Sequence, residues 1–343
     1  MTLLSRTVSI TLSMSLTRFL TAVLVTGTLL LCIPTHTSAK IIFNSTRDGG
    51  SLCVMDDDGS NAEILKVSPR PQSDGAPDWS PDGTRILFHR NVSKVGGQEV
   101  ELFVMDKDGN NVQQLTHYKV LSGWGPWGPD GKRIAFASTR DNTGEIYVMN
   151  LETHEVTQLT HNPDDREWAS SPVWSPDGKY IAYRQATLPH GLTTIYVMRA
   201  DGTKQMPLVP GDDWYRYTGG WSKDSKSVLY FEALYDPKSG KLISNRVVIQ
   251  RLGAKARQVL KTPQKWLIHS ACFLNGDVLI AAEDTGAPQR QADIYRYHIS
   301  TGTLTNLTNH PAYDIAPHWI SDTIFSVTPL KKKAIQWGTL KKK

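Results

Sequence analysis

The chain is poor in cysteine and has no marked excess of charge. Three cysteines occur in 343 residues. Cys32 lies in an N-terminal apolar run, which leaves Cys53 and Cys272 for the fold. No Cys and His pair has structural zinc spacing. Basic residues number 38 and acidic residues 33, too even a balance for nucleic acid to be a default partner. No Gly-x-Ser-x-Gly elbow, Gly-x-Gly-x-x-Gly turn or Walker sequence occurs, so no motif declares a hydrolase or a phosphate site. No catalytic residue, metal or cofactor is therefore assigned. After residue 39 there is no apolar run long enough to span a bilayer.

What the chain does have is a repeated turn. Trp-Ser-Pro-Asp-Gly stands at Trp79–Gly83 and again at Trp174–Gly178, with the variant Trp127-Gly128-Pro129-Asp130-Gly131 between them. Weaker copies start at Trp221, Phe273 and Trp319. Successive openings lie 48, 47, 47, 52 and 46 residues apart. A period of this length with several short strands per repeat marks a propeller.

Each repeat reads as four strands. After Trp127, Pro129 presets φ and Asp130-Gly131 closes a turn. Arg133–Ala137 then alternates polar and apolar residues, as a half-buried strand does. Glu145–Met149 is a third strand and Val156–Thr160 a fourth. Asp58-Gly59, Asp108-Gly109 and Asp201-Gly202 are hairpin signals after other third strands. Blade five is the least regular copy, with a long loop from Tyr235 to Asn245. The repeated Trp and Phe residues, and Tyr147, Tyr196 and Tyr295, suit packing between blades. Six openings predict an all-β, six-bladed propeller of four-stranded antiparallel blades, with almost no helix. Ile41–Asn44 has no first strand before it, and Trp319 has no complete blade after it. The two ends are expected to close one blade, removing a free edge. Thr323–Val327 also reads as a strand and competes for the slot beside Trp319.

The series Trp-Ser-Pro-Asp-Gly, Ile-Ala-Phe, Ser-Thr-Arg-Asp, Ile-Tyr-Val-Met, Asp-Gly, Gln-Leu-Thr resembles the TolB-like six-bladed propeller repeat over residues 40–322. That resemblance implies the fold and does not name a function. TolB itself carries an α/β domain ahead of its propeller. Here the repeats begin at residue 40, which puts a Tol–Pal role in doubt. Prolyl-oligopeptidase-type enzymes also use such propellers, together with a hydrolase domain for which this chain has no motif.

Residues 1–39 read as a secretory signal peptide: Arg18, an apolar run from Phe19 to Cys32, then Thr37-Ser38-Ala39. Met14 opens a better-proportioned signal than Met1. Cleavage is expected after Ala39, since Leu31 ahead of Cys32 is a poor lipoprotein signal. The domains are then 1–39, a propeller over 40–328 and a basic tail over 329–343, read as solvated. Removing residues 1–39 takes away Arg6 and Arg18 and no acid, leaving 36 basic and 33 acidic residues. The product is expected in the periplasm or outside the cell, as a monomer without a transmembrane span. Cys53 and Cys272 fall on a third and a first strand, too far apart for a disulfide, so buried thiols are expected. Asp56-Asp57-Asp58 and Asp164-Asp165 read as turn residues in preference to calcium ligands.

Loops leading into the first strands should gather around one end of the channel. Six residues before the motif aromatics stand Ser73, Leu121, Trp168, Tyr215, Leu267 and Tyr313. Five before them stand Asp74, Ser122, Ala169, Arg216, Ile268 and Asp314. With Trp124, Tyr217 and His269 close by, the expected ligand-binding set is Asp74, Trp124, Trp168, Tyr215, Arg216, Tyr217, His269, Tyr313 and Asp314. Flat rings suit sugars or apolar side chains, and an arginine fork suits a carboxylate. The expected function is a non-enzymatic binding module or scaffold for an envelope or extracellular protein, a peptide or a glycan. The alternative is a polysaccharide-degrading, lyase-like enzyme, for which His269, His310, His318, Asp74 and Asp314 are candidate metal or base residues.

Overall fold

Six sheets of four antiparallel strands account for almost all the regular structure. The computed structural model describes residues 39–93, 99–163, 166–187 and 192–321. The expected signal peptide up to Ser38, Asp164-Asp165, Thr323–Val327 and the basic tail lie outside the described residues. Blade two comprises Ser73–Trp79, Arg85–Asn91, Val100–Asp106 and Gln113–Gln114. Blade three begins with the very short Ser122–Gly123 and continues through Arg133–Ser138, Glu145–Asn150 and Val156–Gln158. Blades four, five and six start at Glu167–Trp174, Tyr215–Trp221 and Trp266–Leu274. The one helical piece among the described residues is a three-residue 3-10 turn at Arg47–Gly49.

Blade one joins the chain ends. Its strand order is Asp314–Ile320, Lys40–Ser45, Ser51–Asp56, Glu63–Val67. Ile41 lies between Trp319 on one side and Met55 on the other. The closure expected from the two half-blades is therefore present, and Asp314–Ile320 covers the inner edge of Lys40–Ser45. Ile41, Ile42 and Phe43 are wholly buried.

The repeated motif is a self-capped turn. In the first copy Ser80 Oγ donates to Asp82 at 2.6 Å and accepts from the Arg85 amide at 2.9 Å. Gly83 donates to the Ser80 carbonyl and takes φ 67°, which a Cβ would disfavour. Ser175-Asp177 and Ser222-Asp224 repeat the bonds, with Ser225 at φ 58° in the glycine position. Blade six replaces the motif by a two-residue Asn275-Gly276 hairpin, both residues at positive φ.

The motif aromatics link blades. Trp79, Trp127, Trp174 and Trp221 are buried. The Arg85 guanidinium covers Trp127 at 4.8 Å and Arg133 covers Trp174 at 4.9 Å. Trp221 Nε1 donates to the Val173 carbonyl of blade four at 3.0 Å. Each buried apolar side chain contributes roughly 1.5–3 kcal/mol before entropy is counted. Cys53 and Cys272 are free and share one apolar cluster with Ile41 and Phe43. Burial raises the thiols to about 11 and about 12, so neither is a nucleophile near neutrality. In the acidic run, Asp58 accepts from the Ser60 amide and Asp56 from Asn61, as turn residues do.

Candidate functional site

The first strands surround a central channel of about 890 Å³, to which all six blades contribute. Midway along, the backbone bulges. Ala76, Trp124, Ser171 and Ala316, each three residues before a motif Trp, have φ of 45°, 51°, 50° and 52°. Pro77, Pro172 and Pro317 follow three of them; lacking an N–H, they cannot extend the ladder and sit at its interruption. Left-handed backbone at such residues costs on the order of 1 kcal/mol each. Neighbouring blades clamp three of them. Asn44 accepts from the Ala76 amide at 2.8 Å and donates to the Asp74 carbonyl at 2.8 Å. Thr218 Oγ1 donates to the Ser171 carbonyl at 2.6 Å, and the Ala316 amide donates to Ser270 at 3.0 Å.

At the mouth, strand alternation separates the two registers expected to form one rim. The register five before the motif points into the blades. Asp74 is held by both Nε and Nη2 of Arg90, at 2.5 and 2.8 Å. Asp314 pairs with Arg47 at 2.8 Å, and its side chain is wholly buried. Arg216 is fully buried, 2.8 Å from Glu232 and 2.7 Å from Asp212. These three charges serve ion pairs within the chain. That replaces the expected rim role, because consecutive strand residues cannot face the same way.

The registers six and four before the motif share the other side. Tyr217 stacks on Phe231 at 4.9 Å. His269 meets Tyr313 edge-on at 5.7 Å, and the Tyr313 hydroxyl donates to Glu283. Glu283 also accepts from Arg290 at 2.8 Å. Trp124 meets His89 edge-on at 5.8 Å and is 39% exposed. Trp124, Tyr217, His269, Tyr313 and the Asp74 segment line the channel. Trp168 lines an adjoining hollow of about 380 Å³ with Leu121, Trp124, Arg184 and Tyr217. Tyr215 lines neither space and packs edge-on against Tyr235 at 5.4 Å.

A cavity-facing register missed in the sequence is on the second strands. Asn44, His89, Arg184 and Phe231 stand opposite Ile315, Gly75, Ser170 and Tyr217. Blade three has Ala137 opposite Gly123 at the same place. These residues vary from blade to blade within an otherwise regular apolar run, which was the available signal. Small partners admit large ones: a Cβ on Gly75 would lie 2.5 Å from His89 Nε2. Burial lowers His89 to about 4, against the raising effect of Asp74. Burial likewise pulls His269 below its ordinary value, with Glu283 opposing.

The candidate metal residues do not converge. His318 pairs with Asp78 at 2.7 Å, Asp74 with Arg90, and His310 is exposed. No group of three His, Cys, Asp or Glu side chains suited to a metal occurs among the described residues.

Comparison with known proteins agrees with the geometry. Residues 35–264 match the family described as the TolB beta propeller domain. The Tol-Pal system protein TolB of Francisella tularensis subsp. mediasiatica (strain FSC147) is 30% identical over 114 residues, 32% of this chain and 25% of that protein. The chain thus aligns with about a quarter of the length of such curated relatives. The crystal structure of TolB from Acinetobacter baumannii superposes with a TM-score of 0.59 at 19% identity, covering 84% of this chain and 68% of the other. A chain of the nidogen/laminin complex superposes at 0.62 with 10% identity, covering 83% and 99%. Such low identities speak to fold alone. With its repeats, its closed ring of six blades and a family match over most of its length, the chain belongs to the TolB beta propeller domain family.

Proposed function

We propose that the chain is an exported, non-enzymatic binding module that holds a segment of an envelope or extracellular protein at the channel mouth. The channel itself carries this reading. Its volume of about 890 Å³ falls within the range of ligand pockets, and rings and histidines line its rim. The blades behind it are rigid, so residues facing the mouth can differ without disturbing the core. The ligand-facing residues in this reading are Trp124, Trp168, Tyr217, His269 and Tyr313, while Asp74, Arg216 and Asp314 hold the loops beneath them. Relatives named as Tol-Pal system proteins support a protein segment over a glycan as the ligand.

Export fits the fold as well. The N-terminal strand begins at Lys40, so cleavage after Ala39 removes no strand residue. No helix among the described residues is long and apolar enough to cross a membrane. N-terminal sequencing of the exported protein should read Lys40-Ile41-Ile42, and a lipid on Cys32 would overturn the site.

Photo-crosslinking side chains at positions 217 and 269 of the full chain, in cells that produce it, test the binding reading. A discrete protein adduct should form there and not from position 259, an exposed outer-strand site. Equal labelling from position 259, no adduct at the mouth, or release of unsaturated sugars from a polyuronate by the purified chain would refute it.

A further inference from the structure

We propose that the hollow between blades three, four and five is a carboxylate-recognition subsite, with Arg184 as its cation and Trp124, Trp168 and Tyr217 as its walls. This rests on the reading that the mouth holds a protein segment. It names an acidic side chain or a C-terminal carboxylate as the part of that segment received here.

Arg184 differs from the other arginines near the mouth. Arg47, Arg90 and Arg216 each have a carboxylate partner within 2.8 Å. Arg184 has no carboxylate partner among the described residues, and its Nε is buried without a hydrogen bond. Its guanidinium lies 4.8 Å over the Tyr217 ring. Burial pulls it below its ordinary value, with Tyr217 alone acting the other way. A ring face attracts a cation but cannot accept the several N–H bonds that a guanidinium offers. A carboxylate can, and does so in a matching planar fork.

The surroundings set the size of the ligand. The hollow holds about 380 Å³, room for one residue-sized group, and shares Trp124, Ser171 and Tyr217 with the channel. A segment lying along the channel can thus send one side chain or its end into the hollow. The walls are aromatic, so water is thinned around the ion pair and its attraction is stronger than on an open surface. Trp168 is set in place by Gly144, where a Cβ would lie 2.5 Å from the ring.

The test titrates three probes into the full chain, read by tryptophan fluorescence and by NMR of the probe. They are N-acetylphenylalanine, N-acetylaspartyl-phenylalaninamide and the uncharged N-acetylphenylalaninamide. At least one carboxylate probe should bind tenfold or more tighter than the uncharged amide. Preference for the first identifies a chain terminus, and preference for the second a side chain. Arg184→Gln should erase the preference, bringing the carboxylate probes level with the uncharged amide, and Arg184→Lys should keep part of it. Equal binding of all three probes, or a preference surviving in Arg184→Gln, overturns the subsite. Galacturonic acid binding more tightly than either peptide probe, and dependent on Arg184, overturns the assignment to a protein segment. If Arg184→Gln does not fold, Arg184→Lys and the amide comparison decide the matter. Adducts at positions 217 and 269 without a carboxylate preference sink this inference alone; their absence sinks the reading beneath it.

Discussion

Arg216 and Glu232 form an ion pair 2.8 Å apart in which both side chains are wholly shielded from solvent. Glu232 also receives Arg246 at 2.6 Å and Arg257 at 3.4 Å, while Arg216 reaches out to Asp212. The pair anchors the loop leading into blade five. Removing one member of a buried pair leaves an unpaired charge and typically costs 3–5 kcal/mol. Because Arg246 and Arg257 still face Glu232, Arg216→Ala is expected at the lower end, about 3 kcal/mol. The Asp212 side chain is 46% exposed, and Asp212→Ala should cost under about 1 kcal/mol. Urea unfolding of both variants checks this. A stable Arg216→Ala protein would return that residue to the candidates for ligand contact.

Gly144 and Trp168 make a second prediction. The Trp168 ring occupies the space where a Cβ on Gly144 would lie, 2.5 Å from three ring atoms. Gly144→Ala must therefore push the ring aside, at a cost typical of overpacking, about 1–3 kcal/mol. The tryptophan emission should shift with it. Trp168→Ala should be milder in stability, since the ring is only partly buried at the mouth. Calorimetry and fluorescence on both variants separate the two. An unperturbed Gly144→Ala spectrum would mean that the ring does not rest there.

The fold was legible because each repeat carries its own turn chemistry. Ser80-Pro81-Asp82-Gly83 specifies a local structure whatever surrounds it, and five further openings set the count. The complementary half-blades at Lys40 and Trp319 revealed the closure for the same reason. The site was less legible. Counting back from the motif aromatics located the mouth, and Trp124, Trp168, Tyr217, His269 and Tyr313 do line it or its hollow. Yet Asp74, Arg216 and Asp314 belong to the adjacent register, and period-two alternation turns them inward. The bulges at Ala76, Ser171 and Ala316 shift the pairing again, and a short alternating pattern does not announce a bulge. Arg184 and His89 were hidden for a different reason. Each lies in a second strand that reads as ordinary core, and its partner, Ser170 or Gly75, lies far enough back in the sequence that pairing is needed to join them.

His89 supplies a pH prediction. Half-buried beside Gly75 and Gly123, its imidazole is held near 4, below the ordinary 6.5, with desolvation outweighing the Asp74 charge. The folded state keeps it neutral where the unfolded chain already binds a proton. Stability is thus intact above pH 6.5 and falls as pH drops towards 4, by up to about 1.4 kcal/mol per pH unit. His269 shifts in the same direction, so the wild-type slope alone does not isolate His89. The difference between wild type and His89→Gln does. Melting temperatures from pH 4.5 to 7 should converge on the acid side, and parallel curves would refute the assignment.

Closure of blade one makes the last prediction. Asp314–Ile320 is the inner strand of that blade, and it pairs through Ser45↔Asp314, Asn44↔Ile315, Ile42↔His318, Ile41↔Trp319 and Lys40↔Ile320. Its loss would bare the edge of Lys40–Ser45, remove the partner of Arg47 and uncover Ile41 and Phe43, which pack in one cluster with Trp319. An open, apolar edge of this kind invites pairing with other chains. A chain ending at residue 313 should therefore aggregate or be cut rapidly by protease. A synthetic peptide of residues 314–321, added during refolding, should restore protection by filling the vacant slot. The same peptide carrying Asp314→Asn should restore less, because Arg47 then faces a neutral amide in place of a buried carboxylate. Protease half-life is the readout. A truncated chain as durable as the full one would show that the ring holds without its C-terminal strand.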